Sequence, residues 1–415
     1  MKVKVDKKNR FISKFNPETG FYMRTGVIDE NGKDTNIDPF MASYPELLDI
    51  GIMQTCVCSH KCNVDCYQKA IDRKGKNMSV EDFENILKQS KGKLFQVALG
   101  GAGDPDTHEN FEEILKLCKQ YEIVPNFTTS GILMNDAKAK LCKEYCGAVA
   151  VSQHSKLKEV IVCSNDDSKT LSDDIYIEDP DKLNEILNNG WIITEDTSDL
   201  SLNYRTLYME ENNYTYKTIK NLLENKVKTS IHYVLSRKSI KEAIFRLKNN
   251  AFPAGINAVV FLLYKPVGLG IEENMLRITD PEVKEFFELV DNGKFNFKIG
   301  FDSCSCSGIV NFAHNISLES IDFCEGGRFS AYIDANMNMM PCSFANQNPD
   351  WHISLKEHTI QEVWDSKMFD KFRYSLNNSC KGCKNRMSCG GGCPLVNQIT
   401  LCNSDKREFA LNKEV

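Results

Sequence analysis

Nine cysteines crowd the last 112 positions of this 415-residue chain, and the run Cys380-x2-Cys383-x5-Cys389-x3-Cys393, with Cys402 beyond it, limits what the chain can fold into more than any other feature. Upstream of that run Cys306, Cys324 and Cys342 stand at even intervals, with 17 residues between neighbours. Disulfide scaffolds that use so many cysteines are small and secreted. The N-terminus, MKVKVDKKNRF, has no apolar core of a signal peptide. The total of 17 cysteines is odd, which argues against complete internal pairing. In a reducing cytosol, clustered thiolates bind metal. Spacing alone leaves two metals open, because C-x2-C pairs also build tetrahedral zinc knuckles. Cys118, Cys142, Cys146 and Cys163 lie apart, in helical, strand-edge or inserted contexts where a free cysteine serves as a small hydrophobe.

Charge narrows the partners. With 51 basic and 57 acidic side chains, the net charge of −6 gives no electrostatic reason to expect nucleic acid or an anionic membrane. The most apolar stretches, such as Ala258 to Tyr264, are too short to span a bilayer. The expectation is a soluble, cytoplasmic protein.

The pattern along the chain divides it into three regions. Residues 1–46 are polar, with turn signals at Asn16-Pro17-Glu18-Thr19-Gly20 and Asn31-Gly32, and predict a β-hairpin. Over residues 47–295 short apolar runs alternate with amphipathic helices. The expected strands are Leu48–Met53, Leu94–Leu99, Ile123–Thr128, Ala148–Ser152, Thr229–Leu235 and Ala258–Leu263. Helix starts are marked by Ser79, by a capping box of Ser239 with Glu242, and by Asp280-Pro281. Six β–α repeats predict an α/β fold with a parallel sheet. They are too few to close an eight-fold barrel, so the expected form is a partial (β/α)6 TIM-like barrel with its chemistry at the C-terminal strand ends. Residues 156–210, with SNDDSK and IEDPDK, interrupt the rhythm; they read as an insertion on the active-site side or as a surface excursion. Residues 296–415 read as a small, irregular, cysteine-rich domain organised by metal.

Directly after the first strand comes Cys56-Val-Cys58-Ser-His-Lys-Cys62-Asn-Val-Asp-Cys66-Tyr67. Three thiolates on one loop can hold three irons of a 4Fe–4S cube and leave the fourth open for chemistry. A structural zinc site with His60 or Cys56 as fourth ligand is the alternative. The segment resembles the radical S-adenosylmethionine (SAM) superfamily, whose usual spacing is C-x3-C-x2-C with an aromatic near the last cysteine. Cys58, Cys62 and Cys66 match in order and Tyr67 is the aromatic, but the spacing here is C-x3-C-x3-C, and Cys56 could stand in for Cys58. After the second strand, Gly100-Gly101-Ala102-Gly103-Asp104-Pro105 is similar to the family's GGE-P motif, with Asp104 one methylene shorter than the usual Glu. The resemblance implies that Gly101, Ala102, Gly103, Asp104 and Tyr67 contact the bound cofactor. It also implies Ser130, where relatives read T-N-G, and Ser152 and Gln153, where relatives place polar groups near ribose and carboxylate. His232, alone on an apolar strand, reads as a satisfied core residue.

The C-terminal run resembles the SPASM domain of peptide-modifying radical enzymes. That resemblance assigns Cys306 (or Cys304), Cys324, Cys342 and Cys393 to one auxiliary 4Fe–4S cluster, and Cys380, Cys383, Cys389 and Cys402 to a second. Two positions depart from the family: Met337 replaces a common glycine, and Ser343 replaces the acidic residue of the sulfatase-maturing branch. The resemblance spans about residues 47–402 and implies reductive cleavage of SAM to a 5′-deoxyadenosyl radical. This radical would abstract hydrogen from a ribosomally made precursor peptide, forming a thioether or a carbon–carbon crosslink. An electron donor such as flavodoxin or ferredoxin is implied as a partner. Residues 1–46 are too few for a leader-binding winged-helix domain, so leader recognition would use a separate protein or another surface, for which the 156–210 insertion is a candidate. Rival readings are epimerisation, anaerobic sulfatase-type maturation, a non-enzymatic iron–sulfur electron carrier, and a zinc-stabilised binding module. Cys56 or Cys304 could also serve as hydrogen donor or substrate ligand.

Overall fold

The structure, a computed structural model, describes residues 1–58, 64–166, 168–169, 171, 176–199, 201–211, 214–317, 321–378, 380 and 382–402. It opens with a three-stranded antiparallel sheet of β1 (Lys2–Asp6), β2 (Phe11–Phe15) and β3 (Tyr22–Arg24). Alternation along β2 turns Phe11, Ser13 and Phe15 inward. Phe15 packs on Phe95, which ties this small sheet to the larger one.

Strands and helices then alternate through β4 (Leu47–Met53), α1 (Val80–Ser90), β5 (Gln96–Gly101), α2 (Phe111–Gln120), β6 (Val124–Thr129), α3 (Asp136–Tyr145) and β7 (Ala148–Ser152). A separate four-stranded sheet intervenes, made of β8 (Leu157–Ser164), β9 (Tyr176–Ile177), β10 (Ile192–Ile193) and β11 (Asn203–Glu210), with α4 (Pro180–Asn188) between β9 and β10. It has its own small core of Val162, Ile177, Trp191, Leu207 and Met209. The first rhythm resumes with α5 (Tyr214–Glu224), β12 (Thr229–Leu235), α6 (Ile240–Lys248), β13 (Ala258–Leu263), α7 (Pro281–Asn292) and β14 (Lys298–Phe301).

Seven of these strands pair in parallel in the order β14-β13-β12-β7-β6-β5-β4. Runs such as LLDIGIM and AVVFLL are apolar almost throughout because helices cover one face of the sheet and the interior lies on the other. The α/β partial barrel is therefore as expected, with one more strand than six. β14 has four residues, one of them Gly300, too short a run for periodicity to reveal.

The sheet also continues past residue 295. After α8 (Cys306–Phe312), β15 (Ser330–Ile333) lies parallel beside β4, and β16 (Asn338–Met340) and β17 (Ile353–Ser354) extend it antiparallel. The chain then runs through α9 (Ile360–Trp364), α10 (Lys367–Asn378) and α11 (Arg386–Cys389). Cysteine-rich segment and barrel thus share one wall.

The helix starts hold in part. Ser79 caps α1, accepting from Asp82 N at 3.0 Å. Ser239 makes no cap. Its hydroxyl donates to Val234 O, while Glu242 is drawn to the buried Arg246 at 2.8 Å, so a demand from the interior overrides the local box. Pro281 opens α7, but the Asp280 carboxylate accepts from Arg277 N and pairs with Arg237.

Candidate functional site

The glycine-rich turn after β5 lies on the backbone that leads into the first cysteine loop. Ala102 N donates to Met53 O at 2.8 Å. Gly101 sits at φ +118°, where a Cβ would come within 2.3 Å of Met53 O. At Gly103 an added Cβ would stand 2.4 Å from Thr55 O. Glycine at these two positions lets the two loops touch, and the contact places the 101–103 turn against Cys56. Cys58 is buried, and Cys56 and Cys66 are half-buried. Cys62 and His60 lie outside the described residues. Tyr67 tilts against Phe344 at 4.9 Å, its carbonyl accepts from Gln347 Nε2, and Gln68 Oε1 accepts from Asn346 Nδ2 at 2.9 Å. The first cysteine loop is thereby fastened to the C-terminal region.

Two polar residues expected near the cofactor meet each other. Asp104 Oδ1 accepts from Ser130 N at 2.9 Å, and Oδ2 accepts from the Ser130 hydroxyl. Burial raises the Asp104 carboxyl, and these two donors partly offset it. Ser152 ends β7. Gln153 Nε2 donates to Ser155 O at 2.9 Å and to Glu210 Oε2 at 3.0 Å, while its Oε1 is buried and accepts no hydrogen bond among the described residues. An unmet acceptor there suits a ligand N–H or O–H. Glu210 also pairs with the fully buried Arg246 and accepts from Tyr176, so the last residue of β11 joins the inserted sheet to the barrel. His232 Nδ1 bonds Thr128 Oγ1 at 3.2 Å, and burial lowers its ring to about 4.

Sequence reading missed three groups. Asp49, half-buried on β4, is raised to about 7 by burial. Glu210 was hidden in a charged stretch. Lys265 and Asp302 form an ion pair at the ends of β13 and β14, a juxtaposition that spacing cannot reveal because 37 residues separate them. Tyr264-Lys265-Pro266 at the end of the sixth expected strand marks Lys265 in the sequence but gives no sign of its partner.

The C-terminal thiols fall into two neighbourhoods. Cys304, Cys306, Cys324, Cys389 and Cys393 line one cavity with Ser303, Ser307 and Gly392. Cys304 and Cys393 are hydrogen-bonded to each other, which together with burial pushes Cys304 well above the usual thiol range. Cys324 and Cys342 are electrostatic neighbours of Cys304, and burial holds Cys342 up to about 12. Cys306 Sγ, in the same cavity, donates to Ser388 O at 2.8 Å. Cys389 in turn feels Cys402, Cys380 and Cys383. Of the two candidates that the resemblance left open, Cys304 is the one hydrogen-bonded to Cys393. Among the described residues, no three Cys, His, Asp or Glu side chains converge on the position of a single metal ion. An all-thiol donor set spread over two neighbourhoods fits iron–sulfur cubes, which take one thiolate at each corner. Buried thiols must lose their protons to become ligands, so loading would release protons.

Residues 324–384 match the family model of the SPASM iron–sulfur cluster-binding domain. No curated protein matches the chain. In fold it is similar to Streptococcus suis SuiB bound to S-adenosylmethionine, with a TM-score of 0.57 and 18% identity over 86% of this chain and 74% of that one. SuiB bound to precursor peptide SuiA gives a TM-score of 0.58 and 17% identity over 86% and 73% of the two chains. Native anSMEcpe with bound AdoMet gives a TM-score of 0.54 and 14% identity over 87% and 92%. At these identities the likeness is one of fold. Among the described residues, no helix is long and apolar enough to cross a membrane.

Proposed function

We propose that this chain, which carries a SPASM iron–sulfur domain on the partial-barrel fold it shares with SuiB and anSMEcpe, is a radical SAM enzyme that modifies a ribosomally made peptide. One observation carries the reading: the glycine turn at the end of β5 is laid on the backbone of the first cysteine loop, and the thiol-lined cavity begins at Ser303, just past the C-terminal end of the parallel strand β14. In this reading Cys58, Cys62 and Cys66 hold the first 4Fe–4S cluster. Cys304, Cys324, Cys342 and Cys393 hold one auxiliary cluster, and Cys380, Cys383, Cys389 and Cys402 the other, with Cys306 a hydrogen-bond donor beside them.

When bound, SAM and the first cluster supply a carbon-centred radical able to take an unactivated hydrogen. The chain's own residues do the rest. Backbone carbonyls of the 101–103 turn would accept hydrogen bonds from the cofactor's amino group, and the Asp104–Ser130 pair fixes that turn against the end of β6. Gln153, held by Glu210, offers its free amide oxygen. Asp49, Thr128 and His232, half-buried on β4, β6 and β12, would stand beside the reacting bond, from which water must be kept.

SuiB with its precursor peptide supports a peptide substrate. The product we favour is a thioether or carbon–carbon crosslink, with flavodoxin or ferredoxin as electron source. Ser343 beside Cys342 offers no carboxylate, which weighs against sulfatase-type maturation. Anaerobic reconstitution is expected to give about twelve irons per chain. A crosslinked peptide loses two hydrogens, whereas epimerisation leaves its mass unchanged. Protein holding zinc and no iron would overturn the proposal.

A further inference from the structure

Lys265 lies directly past β13 and is 6% exposed. Its ammonium donates to Leu263 O at 2.7 Å, pairs with Asp302 Oδ2 at 2.5 Å and stands 4.6 Å over the Phe344 ring. Asp302 precedes Cys304 by two residues, and Phe344 follows Cys342 by two. The cation is therefore wedged between the segments that carry both thiols. A buried ion pair contributes little stability as a rule, and apolar residues of similar volume serve as well. Here the charge has another target within reach. Lys265 and Asp302 both act on the Cys304 thiol, and Lys265, opposed by Asp49, acts on that of Cys342.

We propose that Lys265 raises the reduction potential of the auxiliary cluster held by Cys304, Cys324, Cys342 and Cys393. The inference rests on the ligand assignment above. Reduction adds one electron to a cluster already ringed by thiolates, with no bond formed or broken. A buried cation nearby, poorly screened by solvent, favours the more negative state. Asp302 acts in the opposite sense and moderates it. Lys265 is thus a positioning charge that acts through the cluster and need not touch substrate.

The test is a redox titration of the reconstituted full-length protein, with dithionite as reductant, monitored by electron paramagnetic resonance. The relevant signal is the one lost in Cys324→Ala. Lys265→Met is expected to shift its midpoint to a more negative value, and Asp302→Asn to a more positive one. An iron-replete Lys265→Met chain with the wild-type midpoint overturns the proposal, as do shifts of the same sign in both variants. Should Lys265→Met fail to load iron, Lys265→Gln takes its place in the comparison. Wild-type protein that holds iron only in the first cluster overturns the ligand assignment and this inference together.

Discussion

Two cysteines separated by a single residue, Cys304 and Cys306, meet different fates. Cys304 bonds to Cys393, whereas Cys306 is spent on the Ser388 carbonyl. Cys304→Ala is expected to lower the iron content of the reconstituted chain by about four per molecule, and Cys306→Ala to leave it unchanged. Iron loss in Cys306→Ala alone would reverse the assignment. His232 supports a second prediction. Burial holds its folded ring at about 4, below the ordinary 6.5. As pH falls, the unfolded chain takes up this proton first, so stability declines from pH 6.5 toward 4 and levels off below. His232→Gln, which keeps a polar partner for Thr128, should show a shallower fall of the urea midpoint over that window than wild type. An equally steep fall would show that the ring does not contribute. The sequence reading of His232 as a bonded interior residue agrees with the Thr128 contact, but its partner, 104 positions away, could not be read from spacing.

Elements whose apolar runs bury at least one whole face were the legible ones. β7, β12 and β13 have the bounds that their apolar runs suggest, and β4 and β6 differ by one residue or so at their ends. The inserted sheet was not anticipated as a sheet. β8 (LKEVIVCS) and β11 (NYRTLYME) carry polar, exposed positions that resemble loop composition. β14 and β15 were missed for a different reason: four residues are too few for any period to register. The inserted sheet nonetheless has its own core, in which Trp191 is the largest buried side chain. Trp191→Ala should cost about 3–5 kcal/mol within that unit. Limited proteolysis is expected to cut the variant within 157–210 and spare the barrel. If this sheet recognises the peptide leader, the variant will still split SAM yet lose peptide binding in fluorescence anisotropy. Undiminished binding would move leader recognition elsewhere on the chain.

At the scale of the molecule, barrel and cysteine-rich region form one wall. β15 pairs with β4, Tyr67 packs on Phe344, and Trp364 Nε1 donates to Ala42 O across 322 residues. Cysteine spacing pointed to bound metal and set the cysteine-rich region after the barrel. It did not disclose this joint, which depends on contacts between segments far apart in sequence. The joint gives the thiol-lined cavity and the glycine turn a common side of the sheet, and the proposed chemistry depends on that placement. Release of 5′-deoxyadenosine from SAM by the anaerobically reconstituted, dithionite-reduced protein is its most direct test, read beside the variant Cys58→Ala, Cys62→Ala, Cys66→Ala. Steady release is expected from wild type and none above background from the variant, even with its auxiliary iron retained. Equal release by both would refute the assignment of the first cluster and the radical chemistry with it.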